Sequence, residues 1–225
     1  MAVSYRETLI LWSADGTIIK RIDNDLAATF KRLSWNQQTQ ELAVVDHYYY
    51  DKQMYDQIVL FDDQGIRLRR FPMKFDMVRE MEWINQVNII INDFDGVYSF
   101  NTSNEKRQRL FEEKQYSIDV DLNHNLVIGN TENNSEELTI WQNGITKTFE
   151  IPQFSGRSQA ISPRGDYTIS YPPYDMFSVF NHRSQQVELY PSIKFQYNKS
   201  VEWHPSKPIL AMLMYDDIQL WQFPE

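Results

Sequence analysis

The sequence predicts an all-β repeat fold, a small β-propeller of about five four-stranded blades, on three observations. The first is the residue mix. Hydrophobic residues make up 42% of the 225 and aromatics 14%, and Tyr, Phe and Trp are interleaved with Val, Ile and Thr in short runs. That mixture suits pleated, half-buried surfaces better than helices. The second is a run of apolar residues ending in an aromatic, which recurs with a period near 40. The third is an independent marker series with the same period.

The recurring runs are Leu9 to Trp12, Ile58 to Phe61, Val97 to Phe100, Leu138 to Trp141, Phe177 to Phe180 and Ile218 to Trp221. Their closing aromatics are spaced by 49, 39, 41, 39 and 41 residues. The second series, Trp35, Trp83, Leu122, Ser162 and Trp203, is spaced by 48, 39, 40 and 41. Both series carry the same surplus in the first interval, as one local insertion would produce.

Each period reads as four short strands. The last shows three of them: Ser200 to His204, Pro208 to Met214 and Asp217 to Trp221. Turn signals separate the steps, among them Asn36-Gln37, Asp62 to Gly65, Asn143-Gly144, Ser162 to Gly165 and Asn181-His182. With only seven glycines and nine prolines, the turns must lean on Asn, Asp and Ser. The tryptophans at 35, 83, 141, 203 and 221 stand in register with the repeat and are expected to pack blades rather than line a ligand cage.

The segment Val201-Glu-Trp-His-Pro-Ser-Lys-Pro-Ile-Leu-Ala211, followed by Asp217-Ile-Gln-Leu-Trp221, resembles a blade of the WD-repeat family. Ala160 to Tyr167, and Leu33 to Asn36 followed by Glu41 to Ala43, repeat its plan. The resemblance spans about Thr8 to Phe223 and is degenerate. No Gly-His pair opens a blade, and Trp12, Trp141 and Trp221 are followed by Ser, Gln and Gln rather than Asp.

Counting strands gives two at the N-terminus (Thr8–Trp12 and Thr17–Ile22), four complete units, and three at the C-terminus. That is one strand more than five blades need. The expectation is a single domain over 1–225 closed by a composite blade, with both termini contributing strands and Thr17–Ile22 outermost. A closed monomer is expected over a strand-exchanged dimer.

Composition narrows the function. There is no cysteine, so disulfides and thiolate metal sites are excluded. The N-terminus lacks a charged region followed by an apolar stretch, and Leu9 to Trp12 is too short for a signal or a span. The expected location is cytoplasmic. A net charge of −9 argues against binding nucleic acid or anionic lipid.

Catalysis needs converging titratable groups, and none are evident. The four histidines, His47, His124, His182 and His204, show no ligand spacing; His204 precedes Pro205 at a turn, and His124 and His182 lie in predicted turns with nothing to orient them. No nucleophile elbow or phosphate-cradling glycine loop occurs. Asp93-Phe-Asp95-Gly96 has a faint likeness to a calcium loop but reads as a tight acidic turn. Glu82 and Glu202 are the nearest candidates for inward carboxylates in a propeller-type hydrolase. No catalytic residue, metal or cofactor is expected.

The loops joining second to third strands, roughly 46–57, 93–96, 130–137, 171–176 and 214–217, carry eleven carboxylates against one base, Lys52. These loops share a face in a propeller. Two readings stand: an acidic ring steering a basic partner, or acidic turns that keep a rim soluble. The insertion Asp46-His-Tyr-Tyr-Tyr-Asp-Lys-Gln-Met-Tyr-Asp56 adds four tyrosines in one extended hairpin or loop. Tyr171-Pro-Pro-Tyr174-Asp175-Met176 is a second aromatic loop. Tyrosine offers rigid contact area with a polar tip, which enriches it at binding surfaces.

The leading expectation is a non-enzymatic protein-interaction module, a scaffold or an inhibitor, docking a basic protein. Its binding residues would be Asp46, Tyr49, Asp51, Tyr55, Asp56, Asp93, Asp95, Tyr171, Tyr174 and Asp175. A propeller binding carbohydrate or small molecules is the alternative, and a hydrolase the third.

Overall fold

The repeat becomes a series of antiparallel sheets. In the computed structural model the described residues form 22 strands in six sheets, and no helix. Described are all residues except 1, 6, 14, 24–28, 51–52, 76, 112–116, 122–125, 131–136, 143, 151–158, 171–175, 192–200, 205–206, 214–217 and 224–225; at a few strand positions, 49–50 and 53–54 among them, only the backbone is described. The chain divides into two compact units, Met1–Lys114 and Gln115–Glu225.

The first unit holds three sheets. β1 (Ala2–Tyr5), β2 (Thr8–Trp12) and β3 (Ile18–Asp23) form a three-stranded sheet in sequence order. β4 (Thr29–Asn36), β5 (Glu41–Tyr50), β6 (Gln53–Phe61) and β7 (Arg67–Phe75) form the next. β8 (Glu80–Trp83), β9 (Asn88–Asp93), β10 (Gly96–Asn101) and β11 (Arg107–Phe111) form the third. Pro72, which has no N–H to give a ladder, falls on β7 at the edge of its sheet, where that lack is tolerated.

The second unit repeats the plan. β12 (Ser117–Val120), β13 (Leu126–Asn130), β14 (Glu137–Gln142) and β15 (Ile145–Glu150) make one sheet; β16 (Gln159–Ile161), β17 (Tyr167–Ser170), β18 (Met176–Asn181) and β19 (Gln186–Pro191) make another. β20 (Val201–Trp203), β21 (Ile209–Leu213) and β22 (Ile218–Gln222) close the chain as a three-stranded sheet.

Two expectations change here. Residues 2–5 add a strand, β1, which pairs with β2 from Ala2↔Leu11 to Tyr5↔Thr8. Each terminal segment therefore forms its own three-stranded sheet, and no composite sheet of both termini occurs among the described residues. A four-residue strand without a repeat marker left no periodic trace.

Alternation along the strands sets the cores. On β5 and β6, Ala43, Val45, Ile58 and Leu60 face Phe71, Phe75, Met81, Ile89, Ile91 and Phe100, all buried. The opposite face, Leu42, Val44, Val59 and Phe61, packs on Leu9, Leu11 and Phe30. In the second unit Ala160, Ile169, Phe177 and Val179 pack on Leu210, Met212 and Phe223. Each fully buried aliphatic or aromatic side chain contributes about 1.5–3 kcal/mol.

The repeat tryptophans do what their register implies. Trp83 Nε1 donates to the Ser34 carbonyl at 3.1 Å, bridging the first strands of neighbouring sheets. Trp203 Nε1 donates to the Ala160 carbonyl at 3.2 Å, the same bridge one unit later. Glu82, a candidate inward carboxylate, accepts from Ser34 Oγ at 2.9 Å within the first of these seams.

Where glycine is scarce, three turns among the described residues combine an asparagine side chain with a non-glycine residue at positive φ. The Asn36, Asn101 and Asn181 side-chain oxygens each accept from the backbone N–H groups two and three residues on. The turn then ends on Gln40, Glu105 or Gln185 at φ of 57°, 59° and 55°. An L side chain in that left-handed region costs about 1–2 kcal/mol relative to the right-handed one. Gln185→Gly is therefore expected to raise stability by about 0.5–1 kcal/mol, read as a higher urea midpoint. An unchanged or lower midpoint would show that the Gln side chain itself contributes.

Candidate functional site

The tyrosine-rich insertion is a strand extension. β5 and β6 stay in register through nine pairs, from Leu42↔Phe61 to Tyr50↔Gln53, whereas the corresponding hairpin β9–β10 ends after six. The surplus in the first repeat interval thus lengthens one hairpin at its tip, and only 51–52 lie between the strands. Tyr48, Tyr49 and Tyr50 all belong to β5. Cross-strand pairs point to the same face, so Tyr48 lies against Tyr55 with ring centroids 6.1 Å apart. Both rings are half-buried.

Beneath the tyrosines the hairpin carries charge, but the charge is internal. Asp56 is 0% exposed. Its carboxylate contacts His47 Nδ1 on the paired strand, accepts from the Val78 backbone N–H, and lies 3.7 Å from Lys31 Nζ. Asp46, on the other face and 1% exposed, accepts from Gln57 Nε2 at 2.8 Å and sits 3.5 Å from an Arg70 guanidinium nitrogen. A buried carboxylate needs such partners, because an unpaired one loses far more hydration than the fold returns.

The β9–β10 turn follows the same rule. Asp93, 1% exposed, accepts from the Asp95 and Gly96 backbone N–H groups at 2.8 and 3.0 Å and from Arg107 at 2.9 Å. Burial pushes its carboxyl pKa up, against the lowering influence of those N–H groups and of Arg107. Arg107 also lies 3.4 Å over the Tyr98 ring, and Tyr98 donates to Asp95 at 2.8 Å. Asp95 is exposed.

Of the ten residues marked in the sequence, Asp46, Asp56 and Asp93 are therefore structural carboxylates, not an open acidic ring. Their burial and their cationic or N–H partners correct that expectation. Tyr55 and Asp95 do reach the surface in part, and Tyr49 is placed by register beyond the Tyr48–Tyr55 pair. Asp51, Tyr171, Tyr174 and Asp175 lie outside the described residues, as do the loops 131–136 and 214–217.

The His47–Asp56 contact has the form of an acid–base pair, but Asp56 is fully covered and His47 is only 8% exposed. No group of three or more acidic or histidine side chains among the described residues is placed to hold a metal ion.

His182, expected to lack an orienting partner, is held by Thr168 Oγ1 at 2.7 Å and the edge of Phe180. Burial lowers its pKa from 6.5 to about 4. The folded state thus favours the neutral ring, so its contribution is full above pH 6.5 and is lost as pH falls from there toward 4. His182→Gln is expected to flatten the decline in melting temperature between pH 6.5 and 4.5 relative to the wild type. Parallel pH profiles for the two proteins would show that this histidine carries none of the acid sensitivity.

A concavity in the first unit was not legible in the sequence. Its lining brings together Lys20 and Arg21 of β3 with Arg67 and Arg70 of β7, beside Asp46. These cations are some 50 residues apart in the chain, and no local motif joins them.

No family model matches the chain, and no curated protein matches it in sequence. Its fold is that of known structures. A chain of a crystal structure of a mitotic checkpoint complex superposes with a TM-score of 0.71 at 12% identity, over 99% of this chain and 70% of that one. That neighbour is a WD40 propeller. Propeller-like architecture built of four-stranded antiparallel sheets is what this likeness shows, and at such identity it shows the fold alone.

Proposed function

We propose that this chain is a non-enzymatic protein-interaction module, a single WD-like propeller domain over 1–225 that docks a protein partner through the tip of the β5–β6 hairpin. The observation that carries the reading is the hairpin itself. Counted from the equivalent pairs Leu42↔Phe61 and Ile89↔Phe100, this hairpin runs four pairs beyond its counterpart, and four of the eight added residues are tyrosines set beyond the buried His47–Asp56 pair. A buried, ion-paired base beneath a tyrosine-rich hairpin tip limits the entropy lost on binding. The likeness to a propeller from a protein assembly supports a scaffold role.

Tyr49, Tyr55, Asp51 and Asp95 are the contact residues, with Tyr171, Tyr174 and Asp175 as a second aromatic segment. A basic partner suits Asp51, Asp95 and Asp175, with a chain of net charge −9 steering the encounter. Cytoplasmic location and a monomeric state belong to the same reading.

The test compares a pull-down by the wild-type chain from its source cell with one by Tyr49→Ala/Tyr55→Ala. A partner retained by the first is expected to bind the second at least about tenfold more weakly, as loss of a central aromatic anchor does. Equal affinity for both proteins would remove the hairpin from the interface. Glycan binding abolished by the same pair would assign the tip to carbohydrate instead.

A further inference from the structure

The charge of the concavity in the first unit runs against that of the molecule. The chain carries 31 acidic and 22 basic residues, yet this cleft of about 290 Å³ brings together Lys20, Arg21, Arg67 and Arg70 with only Asp23 and Asp46. Both carboxylates are already engaged: Asp23 accepts from Thr8 Oγ1 at 2.9 Å, and Asp46 from Gln57. Lys20, Arg21 and Arg67 have no acidic partner among the described residues.

Strand register explains how Lys20, Arg67 and Arg70 meet, while Arg21, paired with Ile10, lies on the alternate face of β3 at the rim. Lys20 pairs with Leu11, whose side chain packs toward the second sheet, so Lys20 leans the same way. Arg70 pairs with Val59 and Arg67 with Phe61, both on the sheet face that receives it. Arg70 is held by the buried Asp46 at 3.5 Å. Lys20 is seated by Gly65, at φ +73°, where a Cβ would come within 2.8 Å of Lys20 Cγ and 3.0 Å of Leu11 Cδ1. A glycine at 65 therefore lets the β6–β7 turn close under the lysine stem and leaves the ammonium at the cleft. Phe30, Val59 and Phe61 supply an apolar wall.

We propose that this cleft binds a compact ligand bearing an oxyanion, a phosphate or a carboxylate, with Lys20 and Arg67 as its charge contacts and Arg70 as a pre-positioned third. Guanidinium groups present planar forks that match such oxygens, and a partly enclosed wall strengthens the attraction relative to open water. The site is distinct from the hairpin tip and does not rest on the protein-binding reading.

The test is isothermal titration calorimetry on the full chain at low chloride, with inorganic phosphate in one arm and citrate in the other. Saturable one-site binding of at least one oxyanion is expected, with the preferred arm naming the group. Lys20→Ala/Arg67→Ala should weaken it at least tenfold, while both side chains, being exposed, leave the melting temperature unchanged. Arg67→Glu alone should abolish it, giving a second variant should the first lose stability. The proposal is overturned if neither oxyanion saturates, or if both variants bind as the wild type does.

Discussion

Asp56→Ala is expected to destabilise the first unit by about 3–5 kcal/mol, the usual cost of removing one member of a buried ion pair. The carboxylate is fully covered and serves three partners at once. Lys31, 30% exposed, can turn back to water when the carboxylate is removed. His47 and the Val78 N–H cannot, since both are buried. Each orphaned donor costs about 1–3 kcal/mol, and most of the effect comes from these two. Asp56→Asn keeps an acceptor for Val78 and is expected to cost roughly half as much. Urea midpoints measure both. Equal losses in the two variants would show that charge alone matters; a midpoint unchanged in Asp56→Ala would show that the pair contributes nothing net.

The same substitution probes function through structure. His47 and Asp56 form one rung of the β5–β6 ladder, directly below Tyr48 and Tyr55. Loss of the rung should raise amide exchange first in residues 45–50 and 53–58, then weaken partner binding. Unchanged exchange there would separate the buried pair from the hairpin tip.

How much of this was legible depends on whether a feature repeats. Trp35, Trp83 and Trp203 could be read because they return at the same strand position of the repeat, where Trp83 and Trp203 each bridge to a first-strand carbonyl of the preceding sheet. The asparagine turns could be anticipated from scarce glycine. The length of the insertion was equally plain, because both marker series shift together.

What the sequence hid were relations set by register between distant strands. Asp46, Asp56 and Asp93 look like turn carboxylates when counted along the chain. Only pairing reveals that Arg70 lies beside Asp46, Lys31 beside Asp56 and Arg107 beside Asp93. Asp46 is covered because β5–β6 continues for four more pairs past it, whereas Asp93, in the last pair of β9–β10, is covered by its own turn and by Arg107. The basic cleft was hidden for the same reason.

Phe177→Ala is expected to cost the second unit about 3–5 kcal/mol, as a large aromatic removed from a packed core does. Phe177 is 0% exposed on β18. Its ring stacks on Tyr190 at 5.2 Å and meets Trp221 edge-on at 5.2 Å. Trp221 belongs to β22, whose sheet has three strands, so this ring joins the terminal sheet to its four-stranded neighbour. Ile218 and Leu220 on β22 are 67% and 70% exposed and contribute little burial. The aromatic cluster, together with the buried Leu210 and Met212 of β21, therefore carries the attachment of that sheet. Truncation should lower the urea midpoint, shift tryptophan emission to the red and speed exchange in β20–β22 ahead of β17. Phe177→Leu, which keeps most of the volume, should lose about 1–2 kcal/mol and leave the emission in place. If both substitutions act alike, the ring's contacts with Tyr190 and Trp221 add nothing beyond volume, and the terminal sheet must be held by Leu210, Met212 and Phe223 instead.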